Sequence, residues 1–333
     1  QAMPGRERQL QRISSVLEPA TEGEPASSCW EIGPSGAGKT STAQYLLREL
    51  RVNWGVEYEY VSCVNNTRWQ ALKKIADAHP SVIAKHNSST ERLRDLIAAP
   101  AEPFVVVLDE IAGLEDTELI ADLANADWLS VILIGHHRGN ALGRVPDEVD
   151  RLRYCEVVEF DPYSHDALMR ILDARREVAL QRGVVDDEQL ERIVAEAGGS
   201  ARFGVQAVRS AVDLGIERGH TEVLEEDIDD CFTHAHDRIR QQQLESLSRD
   251  HHVVYRVIRE HGPLRPQSIF EHYERLSEDP NTRQMVVQYR EKLDEYGLIE
   301  EADDGWVVVD ETLAAPLNRT QRTGDSTVET PNR

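Results

Sequence analysis

The stretch that most constrains the fold is EIGPSGAGKTSTAQYLL, residues 31 to 47. Its glycines remove side chains where the backbone must turn tightly, and a lysine and a threonine follow them at once. An apolar helical pattern begins there, and the unpaired N–H groups and partial positive charge of a helix start attract anions. This combination predicts a cradle for phosphate groups.

Every fixed position of the pattern G-x-x-x-x-G-K-[ST] is filled in this stretch. The pattern predicts that ATP or ADP binds to the whole loop: Gly33, Pro34, Ser35, Gly36, Ala37, Gly38, Lys39, Thr40 and Ser41. Lys39 is expected to reach the β- and γ-phosphates, and the Thr40 hydroxyl to bind Mg²⁺. The alternative is a flexible Gly/Ser turn, against which the strand pattern before the loop and the helix pattern after it argue.

A pair of acids completes this nucleotide site. PFVVVLDEI is a continuous apolar run that ends in two acids, which is typical of a buried parallel strand. Asp109 at the end of the strand can hold Mg²⁺, and Glu110 can orient and deprotonate the attacking water. The pair predicts hydrolysis of ATP in addition to binding; an Asp-Glu pair that only ends a strand is the alternative.

The acidic composition bears on the choice of partner. The chain of 333 residues has a formal net charge of −23, and only five of its 37 basic residues are lysines. Abundant acids with scarce lysine are typical of proteins from salt-loving organisms. At molar salt the Debye length is about 3 Å, so the net charge does not exclude nucleic acid as a partner. An acidic surface that binds another protein is the alternative explanation.

Cysteine usage and hydropathy favour a cytoplasmic protein. The cysteines are far apart in sequence and form no C-x-x-C pair, so neither a metal cage nor a disulfide framework is expected. The sequence has no apolar run of about eighteen residues and no leader-like segment near its start. We therefore expect a reducing cytoplasm and no membrane partner.

Strand and helix patterns alternate through the first half of the chain and predict an α/β fold with a three-layer parallel sheet. The expected domains are a nucleotide-binding core at 1–160, a helical bundle at 161–240, three helices with a β-hairpin at 244–315, and a disordered tail at 316–333. A polar connection is expected at about 238–250. Three helices followed by a hairpin predict a winged helix, a relative of the helix-turn-helix.

Together these features resemble the AAA+ ATPases with a P-loop core, and more narrowly the archaeal origin-recognition and cell-division-control type initiators. The resemblance is carried by PGRERQLQRISSVLEPA, EYVSCVNNTRWQALKKIA, VEFDPYSHDALMRILDARREVAL and GGSARFGVQAV, and it covers nearly the whole chain to about residue 312. It implies a helical lid after the core, with Tyr163 walling the adenine pocket and Arg202 touching the γ-phosphate. Chemistry alone also allows an arginine at a helix start to swing towards a phosphate, and a solvated surface arginine is the alternative.

Two segments depart from the family pattern. After the strand ILIG the family places an asparagine that senses the γ-phosphate, and here His136 lies nearest that position. A loop histidine without a role is the alternative. The family also places an arginine finger, which reaches a neighbour's nucleotide in an assembly, near RVPDEVDRLRY. Arg151 is the first choice, followed by Arg153 and Arg144, and a structural ion pair is the alternative.

The third helix of the winged helix is expected to read DNA. Arg283, Gln284 and Gln288 should face outward near its N-terminal end, where this motif meets base edges, and these side chains suit guanine and adenine. Charge argues the other way, because residues 244–311 carry 8 basic and 16 acidic side chains. Weak DNA binding, binding only at high salt, and a protein partner in place of DNA are the alternatives.

The leading interpretation is an ATP-dependent replication initiator that uses Mg²⁺ and hydrolyses ATP slowly as a switch. Its expected partners are double-stranded DNA at a replication origin, the replicative helicase, and further copies of the chain in a homo-oligomer on DNA. Two other functions fit the same features. One is an ATP-switched regulator of transcription or plasmid maintenance. The other is a protein-remodelling AAA+ ATPase whose winged helix docks a protein partner.

Overall fold

The computed structural model describes residues 3–64, 66–114, 116–137, 139, 142–143 and 145–316. The chain divides into two compact units, and the boundary lies between Ile239 and Arg240. All but the first residue of the tail expected at 316–333 lies outside the described residues. Within the described part of the chain, no helix combines the length and the apolar character needed to cross a membrane.

A five-stranded parallel sheet forms the centre of the first unit. Its strands are β1 Cys29–Ile32, β2 Glu57–Ser62, β3 Phe104–Asp109, β4 Leu129–Gly135 and β5 Glu156–Glu159. They lie in the order β2-β3-β4-β1-β5. Every residue of β3 and β4 is buried, which explains their continuous apolar sequences. Because all pairings are parallel, the carboxyl ends of the strands meet at one edge of the sheet.

Helices cover both faces of this sheet. The described helices between the start of the chain and β5 are α1 Glu7–Thr21, α2 Lys39–Trp54, α3 Arg68–Ala78, α4 Thr90–Ala98, α5 Glu118–Ala124 and α6 Asp150–Arg153. Alternate residues of β3 enter different apolar clusters: Val106 belongs to one, whereas Val105 and Val107 belong to the other. Since successive side chains of a strand point to opposite faces, the two clusters are the two layers between sheet and helices. The predicted three-layer α/β core is therefore present.

Four helices follow β5 in the chain. They are α7 His165–Ala179, α8 Asp187–Glu196, α9 Ala201–Arg218 and α10 Glu225–Ser246. The side chains of Ser164, Asp186 and Ser200 cap α7, α8 and α9 by accepting a backbone N–H of the first turn. These three helices therefore begin where the sequence supplies a capping side chain.

The boundary between the two units lies within the polar connection expected at about 238–250, but this connection is helical over most of its length. The helix α10 continues to Ser246, and the next helix begins at Arg249. This stretch is rich in Gln, Glu and Arg, which are strong helix formers as well as polar residues. The polarity of this stretch therefore did not show that it lacks regular secondary structure.

The second unit contains three helices and a two-stranded antiparallel hairpin. They are α11 Arg249–His261, α12 Pro266–Leu276, α13 Arg283–Glu295, β6 Ile299–Ala302 and β7 Gly305–Val308. Trp306 of β7 also pairs with Leu264, which lies between α11 and α12, so the hairpin is joined to that segment. Val286, Tyr289 and Leu293 on one face of α13 are buried, as their helical spacing predicts.

Candidate nucleotide-binding site

The loop at 33–38 joins β1 to α2 at the carboxyl edge of the sheet. The N–H of Gly33 donates to the carbonyl oxygen of Gly135, at the end of β4, over 3.3 Å. Gly36 and Gly38 have φ angles of 76° and 85°, a conformation that residues with a side chain rarely adopt. Gly38 is also the N-cap of α2, so the unpaired N–H groups of a helix start face the loop, as an anion site requires.

Lys39 lies across the loop. It is the first residue of α2 and is buried, and its Nζ donates to the carbonyl oxygens of Gly33 at 2.7 Å and Pro34 at 2.8 Å. An ammonium group held in this position can exchange main-chain acceptors for phosphate oxygens, which bind it more strongly because they are charged. Among the other predicted loop residues, Ala37 is buried, whereas Pro34, Ser35 and Ser41 are exposed.

Three hydrogen-bond donors converge on the carboxylate of Asp109. The Thr40 hydroxyl donates to Oδ2 at 2.7 Å, the Tyr60 hydroxyl donates to the same oxygen at 2.5 Å, and the N–H of Glu110 donates to Oδ1 at 2.8 Å. The two predicted metal ligands, Thr40 and Asp109, are therefore neighbours. Hydroxyl and carboxylate oxygens are the ligands that Mg²⁺ prefers. Sequence analysis did not identify Tyr60.

Glu110 has an unusual backbone conformation. Its φ of 56° is the one positive value among the described residues other than glycine. The left-handed conformation costs an ordinary residue about 1–2 kcal/mol, and such strain concentrates at functional sites. The backbone of Glu110 is therefore fixed at the end of β3, where its N–H meets the carboxylate of Asp109, and its side chain is half-buried.

A buried acid lies beneath the loop. Glu31 on β1 is fully buried, and neither of its carboxyl oxygens has a hydrogen-bond partner among the described residues. Burial, followed by the negative charge of Asp109, raises the pKa of Glu31 well above its ordinary value, while the positive charge of Lys39 lowers it. This acid therefore keeps its proton to a higher pH than an exposed glutamic acid does. Sequence analysis did not identify it.

The lid touches the loop through the start of α9. The N–H of Ala201 donates to the carbonyl oxygen of Gly36 over 3.2 Å. A Cβ placed on Gly36 would lie 2.3 Å from Oγ of Ser200 and 3.3 Å from Cβ of Arg202. Arg202 therefore begins beside the loop, with an exposed side chain that forms no ion pair within the described part of the chain, and its contact with a γ-phosphate stays a prediction.

Tyr163 lies in the segment between β5 and the lid and is buried against the loop. A Cβ placed on Gly38 would lie 2.1 Å from its hydroxyl oxygen. The guanidinium carbon of Arg6 lies 3.7 Å from the centre of its ring, and the contact is a cation–π interaction. Arg6 thus covers one ring face, and the whole side chain is only 6% exposed.

Arg6 is a further residue of the site that sequence analysis missed. It is 4% exposed. Its Nε donates to the carbonyl oxygen of Ala37 at 2.8 Å, and Nη2 donates to that of Asp161 at 2.6 Å. Arg6 therefore ties the N-terminal segment to both the loop and the start of the lid. The available signal was the first arginine of PGRER, which directly precedes a helix.

His136 follows β4 directly and is half-buried. The residue before it, Gly135, bonds to Gly33 of the loop, so His136 lies at the same edge of the sheet as the loop. This position is compatible with the expected sensor, whose role stays a prediction.

The side chain of Arg151 bonds to main-chain atoms of its own chain. Its guanidinium donates to three main-chain carbonyl oxygens, those of Ala124, Ala126 and Leu129. Burial lowers its pKa below the ordinary arginine value. The geometry therefore gives Arg151 a structural task at the turn between α5 and β4. Arg153 pairs with Asp147 at 2.8 Å, and Arg144 lies outside the described residues.

The predicted DNA-reading residues lie at the start of α13. Arg283 and Gln284 are exposed in its first turn, and Gln288 is half-buried in the next turn. Thr282 caps the helix by accepting the N–H of Met285. The side chains are placed as the helical spacing predicts, and their contact with DNA stays a prediction.

Two family models match the chain. The AAA ATPase domain matches residues 2–134, and the Cdc6 AAA+ ATPase-type lid domain matches residues 169–233. ORC1-type DNA replication protein 9 of Halobacterium salinarum is 36% identical over 301 residues, which cover 89% of this chain and 85% of that protein. The chain belongs to the ORC1-type DNA replication proteins. ORC1-type DNA replication protein 1 of the same organism is 33% identical over 287 residues, 84% of this chain and 93% of its own.

A solved structure supports the same assignment of this ORC1-type protein. The Aeropyrum pernix ORC1 protein in complex with DNA matches with a TM-score of 0.68 and 25% identity, over 90% of this chain and 85% of that one. The predicted family, the P-loop ATPase activity and the helical lid are confirmed. The relation to proteins of salt-loving organisms, predicted from the scarcity of lysine, agrees with the Halobacterium relatives.

Proposed function

We propose that this ORC1-type protein is a cytoplasmic replication initiator that binds double-stranded origin DNA, helps to recruit or load the replicative helicase, and uses ATP binding and slow hydrolysis as its switch. The observation that carries the proposal is the contact between lid and phosphate loop, where Ala201 bonds to Gly36. A ligand in the loop therefore acts on the core and the lid at once. The replication role is supported by the names of the relatives.

ATP or ADP with Mg²⁺ fits the residues present. Two loop glycines hold left-handed φ angles at a helix start, Lys39 supplies a cation, and Thr40 and Asp109 would hold the metal. The bound ion would neutralise charge on the β- and γ-phosphates. We assign Glu110 to orienting and deprotonating the attacking water. Tyr163 is proposed to wall the adenine pocket, as the family resemblance implies.

The switch follows from which parts hold the γ-phosphate. Lys39 belongs to the core and Arg202 to the lid, so a γ-phosphate held by both would join them, and its loss would release the lid. A ligand shifts such an equilibrium only by its differential affinity for the two states. His136 is proposed to report the same phosphate from the end of β4. We also propose that the protein forms homo-oligomers on DNA. Because Arg151 is held by main-chain carbonyl oxygens, we do not assign it the role of an arginine finger.

Two substitutions separate ATP binding from hydrolysis. Lys39→Ala should abolish ATP binding, because it removes the side-chain cation of the loop. Glu110→Gln should keep binding and lower turnover by about a hundredfold or more, the usual effect of losing a general base. Equilibrium nucleotide binding and phosphate release measure the two, and the exposed Lys74→Ala is the matched control. Normal phosphate release by Glu110→Gln would contradict the assignment.

The second unit is proposed to be a winged helix that reads DNA with α13. The order of three helices and a hairpin supports this, as does the DNA complex of the Aeropyrum ORC1 protein. Arg283, Gln284 and Gln288 are proposed to contact base edges. Because the unit is net acidic, few phosphates should be neutralised, and the loss of affinity with salt should be shallow compared with that of a protein making about 6–10 phosphate contacts.

Fluorescence anisotropy of the full chain with cognate and scrambled duplexes in a KCl series tests DNA reading. Arg283→Ala should weaken cognate binding by about 1–3 kcal/mol, the range of a good bidentate base contact, and leave scrambled binding unchanged. Arg256→Ala, an exposed arginine on α11, is the control. Equal loss of affinity for both duplexes would show that Arg283 contacts phosphate and does not read the base sequence.

The acidic hairpin favours one other function. Glu300, Glu301, Asp303 and Asp304 are exposed at and beside its tip, where they repel phosphates. A docking module for a basic protein segment would explain this charge. The absence of DNA binding in molar KCl would favour that function, and a footprint over a promoter would favour a transcription or plasmid-maintenance regulator.

A further inference from the structure

We propose that Tyr60 is a positioning residue that orients the carboxylate of Asp109 for Mg²⁺ and so sets the metal dependence of nucleotide binding. The proposal rests on the proposed role of Asp109 as a metal ligand. Tyr60 is a residue of β2, and β2 pairs with β3 so that Ser62 lies opposite Asp109. The tyrosine therefore starts two residues away from the register partner of Asp109 and reaches along the strand with its long side chain.

The hydroxyl of Tyr60 is committed to one oxygen. It donates to Oδ2 of Asp109 at 2.5 Å. Since a tyrosine hydroxyl has a single O–H, this bond uses the whole donor capacity of the Tyr60 side chain.

Two further donors meet the same carboxylate. Thr40 donates to Oδ2 at 2.7 Å, and as a metal ligand its hydroxyl would offer a lone pair to the cation while its O–H still donates. The N–H of Glu110 donates to Oδ1 at 2.8 Å. Tyr60 therefore holds Oδ2 from the neighbouring strand, and Oδ1 keeps a lone pair for the cation.

Two effects of the tyrosine oppose each other. Its hydrogen bond withdraws electron density from the carboxylate, which weakens the attraction for a cation, and it fixes the orientation, which strengthens binding. Outer partners of metal ligands typically change metal affinity by about 10–100-fold in the favourable direction. We therefore expect orientation to dominate, and the sign of the measured change decides between the two effects.

The test compares Tyr60→Phe with Tyr58→Phe in the full chain. Tyr58 lies two residues earlier on the same strand, is also half-buried, and its hydroxyl makes no hydrogen bond within the described residues. Binding of a fluorescent ATP analogue is measured across a Mg²⁺ titration and in EDTA. Tyr60→Phe should raise the Mg²⁺ concentration for half-maximal enhancement about tenfold and leave binding in EDTA unchanged. Tyr58→Phe should change neither.

Asp109→Asn separates this proposal from the function on which it rests. If Asp109→Asn leaves the Mg²⁺ dependence unchanged, the metal site itself is misassigned. If Asp109→Asn shifts it and Tyr60→Phe does not, or Tyr60→Phe tightens Mg²⁺ binding, the positioning role is overturned. The double variant should show no shift beyond that of Asp109→Asn, because Tyr60 acts through that carboxylate. A shift that adds fully to the Asp109→Asn effect would also overturn the proposal.

Discussion

The N–H of Ala201, the first residue of the lid helix α9, donates to the carbonyl oxygen of Gly36 in the phosphate loop over 3.2 Å. This main-chain bond fixes where the following residue, Arg202, begins. The side chain of Arg202 therefore needs only to rotate to meet a ligand in the loop.

Arg202→Ala should weaken ATP binding by about tenfold or more and change ADP binding little, because a hydrogen bond to a charged group contributes about 1.5–3 kcal/mol. The ratio of the two Kd values measures the effect. Arg209→Ala on the same helix, whose side chain is 67% exposed, is the matched control. Equal losses for ATP and ADP would show that Arg202 does not distinguish the γ-phosphate.

Gly38→Ala and Gly55→Ala form a matched pair, because these glycines cap the two ends of α2 with φ angles of 85° and 71°. A Cβ on Gly55 meets nothing within 4 Å, whereas one on Gly38 meets the Tyr163 hydroxyl at 2.1 Å. Gly55→Ala should lower the free energy of unfolding by about 1–2 kcal/mol, the cost of the left-handed conformation, and Gly38→Ala by more. Chemical denaturation without nucleotide measures both.

The excess cost of Gly38→Ala should shrink in a Tyr163→Phe background, which removes the obstructing hydroxyl. An excess that is unaffected by Tyr163→Phe would mean that this contact is not its source.

Arg6→Ala should lower the free energy of unfolding by about 2–3 kcal/mol, since it leaves the carbonyl oxygen of buried Ala37, and that of Asp161, without their charged donor. Arg8→Ala, an exposed neighbour on the same segment, should have almost no effect. Arg6→Lys should recover part of the loss, because an ammonium group reaches fewer acceptors than a guanidinium. Similar stability of the Arg6→Ala and Arg8→Ala variants would contradict the role of Arg6.

Glu31→Gln should stabilise the protein at neutral and higher pH. The folded protein holds the Glu31 proton more tightly than the unfolded chain, so ionisation of the unfolded chain lowers the free energy of unfolding as pH rises from the ordinary glutamic acid pKa towards the raised one. Glutamine does not ionise, so Glu31→Gln removes this loss of stability with rising pH. The difference in Tm between variant and wild type should therefore grow from pH 5 to pH 8, and a difference independent of pH would indicate that Glu31 does not titrate this way.

The phosphate loop and the acids at the end of β3 could be predicted because each is a contiguous pattern. A glycine-rich loop before a helix indicates a phosphate site, and an apolar run before two acids indicates a buried strand with a site at its end, without reference to distant parts of the chain. The architecture was predictable for the same reason, since the burial of β3 and β4 is already visible in their composition.

The residues that sequence analysis missed act across long separations. Tyr60 meets Asp109 from 49 positions away, and Arg6 meets Ala37 from 31 positions away. No local pattern contains both partners of such a bond. Arg151 shows a related difficulty. The segment that contains it was singled out from the sequence, but its side chain is oriented by three carbonyl oxygens that lie outside that segment.

The obstruction that Tyr163 and Ser200 present at Gly38 and Gly36 changes what the loop signature means in this chain. Such glycines are usually attributed to the approach of a phosphate. Here the same absence of side chains also leaves room for Tyr163 and Ser200, so the loop is a contact surface for the lid as well as a binding site for the nucleotide. A variant with a bulkier loop could therefore retain nucleotide and still lose communication between core and lid. Measurements of nucleotide affinity alone would not detect the defect in that variant.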